Sequence, residues 1–168
     1  MSAVISEFKQ NAILRLDQST RMITISLSKI GEDAVWKRPN EHSNSIGNLI
    51  LHLCGNITQY AIASLGEKED VRNRDAEFAA KEGYSKEELL KMLNNVVDVA
   101  KKTINEASEE QLTTKRNVQA YEFSGIGVVI HVVEHYSYHT GQIAFWVKLL
   151  LDQDLGFYDG VDLNEQNN

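Results

Sequence analysis

The sequence predicts an all-α fold, a four-helix bundle built as a single domain over residues 1–168. Three observations predict it. Four segments carry apolar residues at helical spacing, most of them begin or end at a capping residue, and only one proline interrupts the chain. A chain of 168 residues, 42% of them apolar, fits one ordinary domain and can bury a sizeable core.

The first helix is expected over residues 2–30, where Ile5, Phe8, Ile13, Leu16, Ile23 and Leu27 form a helical stripe before Gly31 stops it. The second is expected over 45–65, capped by Asn44 or Ser45 and closed by Gly66. A charged connection, 67–84, follows and reads as solvated. The third helix opens on Ser85-Lys86-Glu87-Glu88, a capping box just ahead of Leu89, Leu93, Val96 and Ala100. It ends before Ser108, where Ser108-Glu109-Glu110-Gln111 starts another short turn. Residues 117–123 are ambiguous, a short extended segment being one reading. The fourth helix is expected over 124–151, and the polar tail from Gly156 is expected to fray at Asn167-Asn168.

At 100° per residue, Val129, Val132, Val133, Tyr136, Ile143, Val147 and Leu150 of the fourth helix cover one wide arc. Phe145, Trp146 and Leu149 extend it, and only Glu134, Ser137, Gly141, Lys148 and Asp152 make a polar strip. A helix this apolar must be covered on most sides, centrally in the bundle or by a second subunit, so a homodimer is expected.

The charge balance, 24 acidic against 17 basic residues and a net −7, argues against nucleic acid and anionic membrane surfaces as partners. Residues 1–9 lack a secretory pattern, and no apolar stretch approaches the ~20 residues of a membrane span. One cysteine, Cys54, forms no internal disulfide. A cytoplasmic location and a small-molecule substrate are expected.

The chemistry concentrates on histidine. His131, His135 and His139 recur every four residues, so they stand one above another on one helical face. From first to last they span ~12 Å of rise, so at most one adjacent pair can clasp an ion through bonds of ~2.1 Å. Which pair does so stays open at this level. His52 lies inside the second helix on a polar stripe with Asn48 and Asn56, and Cys54 points ~160–200° away. Each histidine alone also reads as a packing or solvated residue, and His42 reads as exposed. The combination is sharper, because bundle interiors build metal sites from facing helices. No His-Glu-x-x-His, phosphate loop or Glu-x-x-His motif is present.

His135-Tyr136-Ser137-Tyr138-His139-Thr140-Gly141-Gln142 resembles the His-x3-His-x-Gly-Gln signature of the DinB-like (YfiT-like) metal-binding bundles. Trp36-Lys37-Arg38-Pro39 followed by Ser45-Ile46-Gly47-Asn48 and His52 resembles the start of that family's second helix, in a branch catalogued as a domain of unknown function. The resemblance implies an up-up-down-down bundle, often dimeric, with His52, His135 and His139 holding one divalent ion, nickel or zinc foremost. His131 is then a neighbour of the site. An arginine often follows the last ligand in relatives; here Thr140 stands there, which removes a borrowed contact to a substrate carboxylate.

Three neutral imidazoles leave a coordination position open. Some relatives are S-transferases that use low-molecular-weight thiols such as bacillithiol or mycothiol. The implied activity is therefore metal-activated attack of a thiol on a small electrophile, with Asn48, Tyr138 and Gln142 placed by helical angle to contact cofactor or ligand. Core packing accounts for Tyr138 equally well. The alternatives are metal-assisted hydrolysis of a small molecule, or a non-enzymatic metal-binding, stress-associated bundle.

Overall fold

The computed structural model describes residues 2–166. Its long helices are α1 (Ala3–Ser28), α3 (Ile46–Ile57, continued by a π-helical segment Thr58–Leu65), α5 (Lys86–Glu106) and α7 (Gly125–Leu151). Short helices α2 (Glu32–Val35), α4 (Arg74–Ala79) and α6 (Glu109–Thr113) sit in the connections, with a hairpin of β1 (Lys115–Val118) and β2 (Tyr121–Ser124). The expected fraying of Asn167-Asn168 lies outside the described residues.

Serine starts all four long helices. The hydroxyls of Ser2, Ser45, Ser85 and Ser124 accept from the backbone N–H of Ile5, Asn48, Glu88 and Gly127, satisfying donors that the first turn leaves orphaned. The Ser85–Glu88 capping box closes as expected, and Ser108–Gln111 opens α6 in the same way. The ambiguous stretch 117–123 falls in the antiparallel hairpin, in which Val118 faces Tyr121 across a turn with Gln119 at φ 54°.

The second helix departs from expectation at its end. Its last eight residues, Thr58–Leu65, wind as a π-helix, and this wider winding sets Tyr60, Ala61, Ala63 and Leu65 all against the core. The charged connection departs too, since α4 forms within it behind Asn73, whose side chain accepts from Ala76 N–H.

Chain directions follow from contacts at the helix ends. Lys9 near the start of α1 donates to carbonyls at the end of α5, and Lys86 at the start of α5 donates to Ile30 just past α1. These two helices are antiparallel. Trp36 donates to the Tyr84 carbonyl at the starts of α3 and α5, while Gly66 abuts Thr103 at their ends, so α3 and α5 run parallel. On α7, His135 meets His52 and the earlier His131 meets the later Asn56, so α7 opposes α3. The perimeter α1–α7–α3–α5 thus reads up-up-down-down. In chain order the sense is up, down, down, up. The cause is the long connection 67–84, which carries the chain back along the bundle and lets consecutive long helices α3 and α5 run the same way.

The core is aliphatic, with Leu16, Ile23 and Leu27 of α1, Ile50 and Leu53 of α3, Leu89 and Leu93 of α5, and Val132, Ile143 and Val147 of α7 all buried. Truncating one such leucine to alanine costs ~2–5 kcal/mol. Phe145 and Leu149 of α7 remain exposed, at 69% and 62%. Among the described residues no helix is long and apolar enough to cross a membrane.

Candidate metal centre

The polar faces of α3 and α7 meet at one level of the bundle, and three histidines converge there. His52, buried on α3, points Nε2 at Nε2 of His135 on α7, 2.9 Å away. His139, one turn further along α7 and also buried, sets its ring edge-on to both, with centroids 5.0 Å from His52 and 4.5 Å from His135. One ligand nitrogen from each of these three residues lies within 4.8 Å of the others. A tetrahedral ion with bonds of ~2.1 Å sets its ligand nitrogens ~3.4 Å apart, so the 2.9 Å pair would open slightly and the longest separation, within 4.8 Å, would close to hold it.

The rings are oriented from behind. His52 Nδ1 donates to Glu77 Oε2 at 2.9 Å, which leaves Nε2 as the lone-pair nitrogen facing the centre. Arg72 Nη2 lies 3.1 Å from the same Nδ1, but two donors cannot bond, so the proton goes to Glu77. Arg72 instead clamps that carboxylate, with Nε on Oε1 at 2.7 Å and Nη2 on Oε2 at 2.8 Å. His139 Nδ1 donates to Gln142 Oε1 at 2.7 Å, so its free nitrogen is also Nε2.

Electrostatics favour the neutral imidazole at His135 and His139. Burial, reinforced by the neighbouring histidines and Arg72, pushes His135 down to about 3. Burial also lowers His139, against a smaller opposing effect of Gln142. Burial alone would raise Glu77, but the bonds from Arg72 and His52 outweigh it and hold the carboxyl below its usual range. His135 and His139 are therefore neutral at pH 7, the form that binds metal. Three imidazoles, two of them oriented from behind and two held neutral by burial, fit a divalent ion.

Other sequence-predicted residues fall as follows. Gln142 orients His139. Tyr138 is 61% exposed, with its ring edge-on to His139 at 4.9 Å. Asn48 is buried and occupied: its Oδ1 accepts from Ser45 and Arg38, and its Nδ2 donates to the carbonyls of Glu77 and Ala80. Its contribution is to pin the connection that carries Glu77. His131 stands outside the trio, stacked on Tyr60 at 4.0 Å and on His135 at 5.3 Å. Cys54 is buried and its thiol is pushed up to about 12 by burial, so it offers no thiolate. Thr140 turns back to the Tyr136 carbonyl, and His42 is exposed.

Sequence reasoning missed Arg72 and Glu77, which it placed among solvated charges. The available signal was Gly55, a glycine inside α3: a Cβ there would come 1.9 Å from Glu77 Oε1, so the carboxylate uses the space that the missing side chain leaves. A cavity of about 660 Å³ lies beside Arg72, Glu77, Met92 and Val96, and no histidine lines it. A cavity of about 480 Å³ borders the site instead, between Leu49, Gln142, Phe145 and Trp146.

Two solved structures share this architecture. A DinB-like protein (YjoA) from Bacillus subtilis superposes with a TM-score of 0.64 at 17% identity, over 83% of this chain and 91% of that one. A conserved protein from Enterococcus faecalis gives 0.74 at 16% identity, over 91% and 99%. At such identities the likeness shows the fold alone. A search of curated proteins finds no match. The family model described as "Protein of unknown function (DUF1572)" matches residues 3–158, and the chain, a DinB-like bundle, belongs to that family.

Proposed function

We propose that the chain holds one divalent ion, nickel or zinc, through His52, His135 and His139, and transfers a low-molecular-weight thiol to a small electrophile. The observation that carries this reading is the convergence of three histidines within 4.8 Å, two of them fixed from behind by Glu77 and Gln142. Three protein ligands leave a position for an exogenous one. A bound ion supplies Lewis acidity that lowers the pKa of a thiol or water beside it. His52, His135 and His139 orient that position, and Tyr138 and Gln142 flank it on α7. In the transfer the thiol proton leaves to solvent, a carbon–sulfur bond forms, and the leaving group departs with its electron pair. Cys54 is not the nucleophile, because burial keeps it a thiol. The same reading includes a homodimer, supported by the exposed Ile130, Phe145 and Leu149 on α7.

Elemental analysis of wild type, His52→Ala and His139→Ala tests the ion, and thiol-dependent consumption of a chloronitrobenzene tests the transfer. About one equivalent in wild type and none in the variants is expected. Turnover should need both thiol and metal. Metal without thiol-dependent turnover removes the transferase reading: ester hydrolysis would then point to activated water, and a melting temperature lowered by chelator alone to an ion that only stabilises the fold.

A further inference from the structure

A second polar layer lies against the three histidines, and the metal reading leaves it without a task. Asn56 stands one turn beyond His52 on α3, and His131 one turn before His135 on α7. Because the helices run in opposite directions, these two meet as His52 and His135 do, with Asn56 Nδ2 3.3 Å from His131 Nε2. The layer is walled by Tyr60, which is fully buried, stacks on His131 and donates its hydroxyl to Gln119 on the hairpin turn. His131 in turn stacks on His135, so the layer adjoins the centre directly.

Asn56 is only 4% exposed, and its Oδ1 has no hydrogen-bond partner. Its Nδ2 is taken by His131, so the open atom is an acceptor. Burying an amide carbonyl without a donor is destabilising, and native proteins leave few such atoms unsatisfied. This one lies ~6 Å along the helix from the level of His52.

We propose that Asn56 and His131 form a binding subsite for the small molecule whose donor atom takes the open coordination position. The Asn56 carbonyl receives an N–H or O–H carried two or three bonds from that donor atom. The inference rests on the metal-binding reading above and adds the class of ligand: a small thiol with a hydroxyl or amine near its sulfur. A plain alkyl thiol of the same length reaches the ion but leaves the carbonyl orphaned.

The test uses cobalt(II)-loaded wild type, Asn56→Leu and Asn56→Asp, with cobalt content measured on each. Mercaptoethanol and propanethiol, which differ by hydroxyl against methyl, are titrated by the thiolate-to-cobalt absorption band. Wild type should favour mercaptoethanol about tenfold, the worth of one well-made hydrogen bond. Asn56→Asp, which keeps an acceptor, should retain the preference. Asn56→Leu should lose it while keeping its cobalt and its affinity for propanethiol. Equal affinities in wild type, or a preference surviving in Asn56→Leu, overturn the subsite and leave a buried water as the carbonyl's partner. The wild-type comparison decides even if the leucine variant fails to fold. Wild type that holds no cobalt overturns the metal reading itself, a failure that elemental analysis separates from the first.

Discussion

His52 and Glu77, 25 residues apart in the chain, meet at 2.9 Å with the imidazole Nδ1 donating to the carboxylate. The bond fixes which nitrogen of His52 faces His135, and Arg72 fixes the carboxylate in turn. A charged pair that composition would place on the surface, Arg72 and Glu77, therefore sits behind the centre.

Glu77→Gln keeps the shape but weakens the acceptor and loses the charge that pairs with Arg72. Metal affinity should fall about 10–100-fold, read by competition with a chromophoric chelator. Glu77→Ala should also destabilise the metal-free protein by ~3–5 kcal/mol in urea unfolding, because it strands the Arg72 guanidinium, whose side chain is 3% exposed.

Gln142 separates orientation from stability. It is exposed and bonds His139 alone among its resolved side-chain contacts, so Gln142→Leu should lower metal affinity about tenfold. The unfolding midpoint of the metal-free protein should move by no more than about 0.5 kcal/mol equivalent. A large loss of stability instead would mean that Gln142 packs rather than orients.

Gly55→Ala inverts the usual helix rule. Alanine gains ~1 kcal/mol over glycine in a helix interior. Here its Cβ would lie 1.9 Å from Glu77 Oε1 and 2.9 Å from Arg72 Nε, so the clamp must move. Metal affinity should fall as in Glu77→Gln, and nitrogen NMR of His52 should show its fixed tautomer lost.

Stability of the metal-free protein should fall as pH drops from about 6.5 towards about 3. In that window the unfolded chain protonates a histidine that the folded chain keeps neutral at His135. His139 and His131, also lowered by burial, add in the same direction. Below the ordinary carboxylate range Glu77 adds a further loss, since its folded pKa is depressed and protonation removes a favourable charge. Melting temperatures across pH 7.5 to 4 check this; a flat profile would contradict neutral, buried imidazoles.

Much of the fold was legible because its signals are local. Ser85 and Glu88 close a box within four residues, and the stripe Leu16, Ile23, Leu27 follows the period of one helix. The histidines of α3 and α7 stood out by helical angle, but angle left the pair on α7 open, and the set His52, His135 and His139 came from the resemblance to the DinB-like bundles. What stayed hidden depends on distant pairings. Glu77 looks like any other acid of a charged stretch until Arg72, Asn48 and Gly55 surround it. The π-helical winding after Ile57 left no mark in the periodicity, because apolar residues on both sides of Tyr60 suit either winding.

The parallel run of α3 and α5 obliges residues 67–84 to travel back past the histidines, and this return strand of chain is where Arg72 and Glu77 reside. The three histidines and the Arg72–Glu77 pair behind His52 thus belong to separately variable parts of the molecule. Transplanting a different return segment between the same four long helices would change what stands behind His52 while all three histidines of the candidate centre stayed in place.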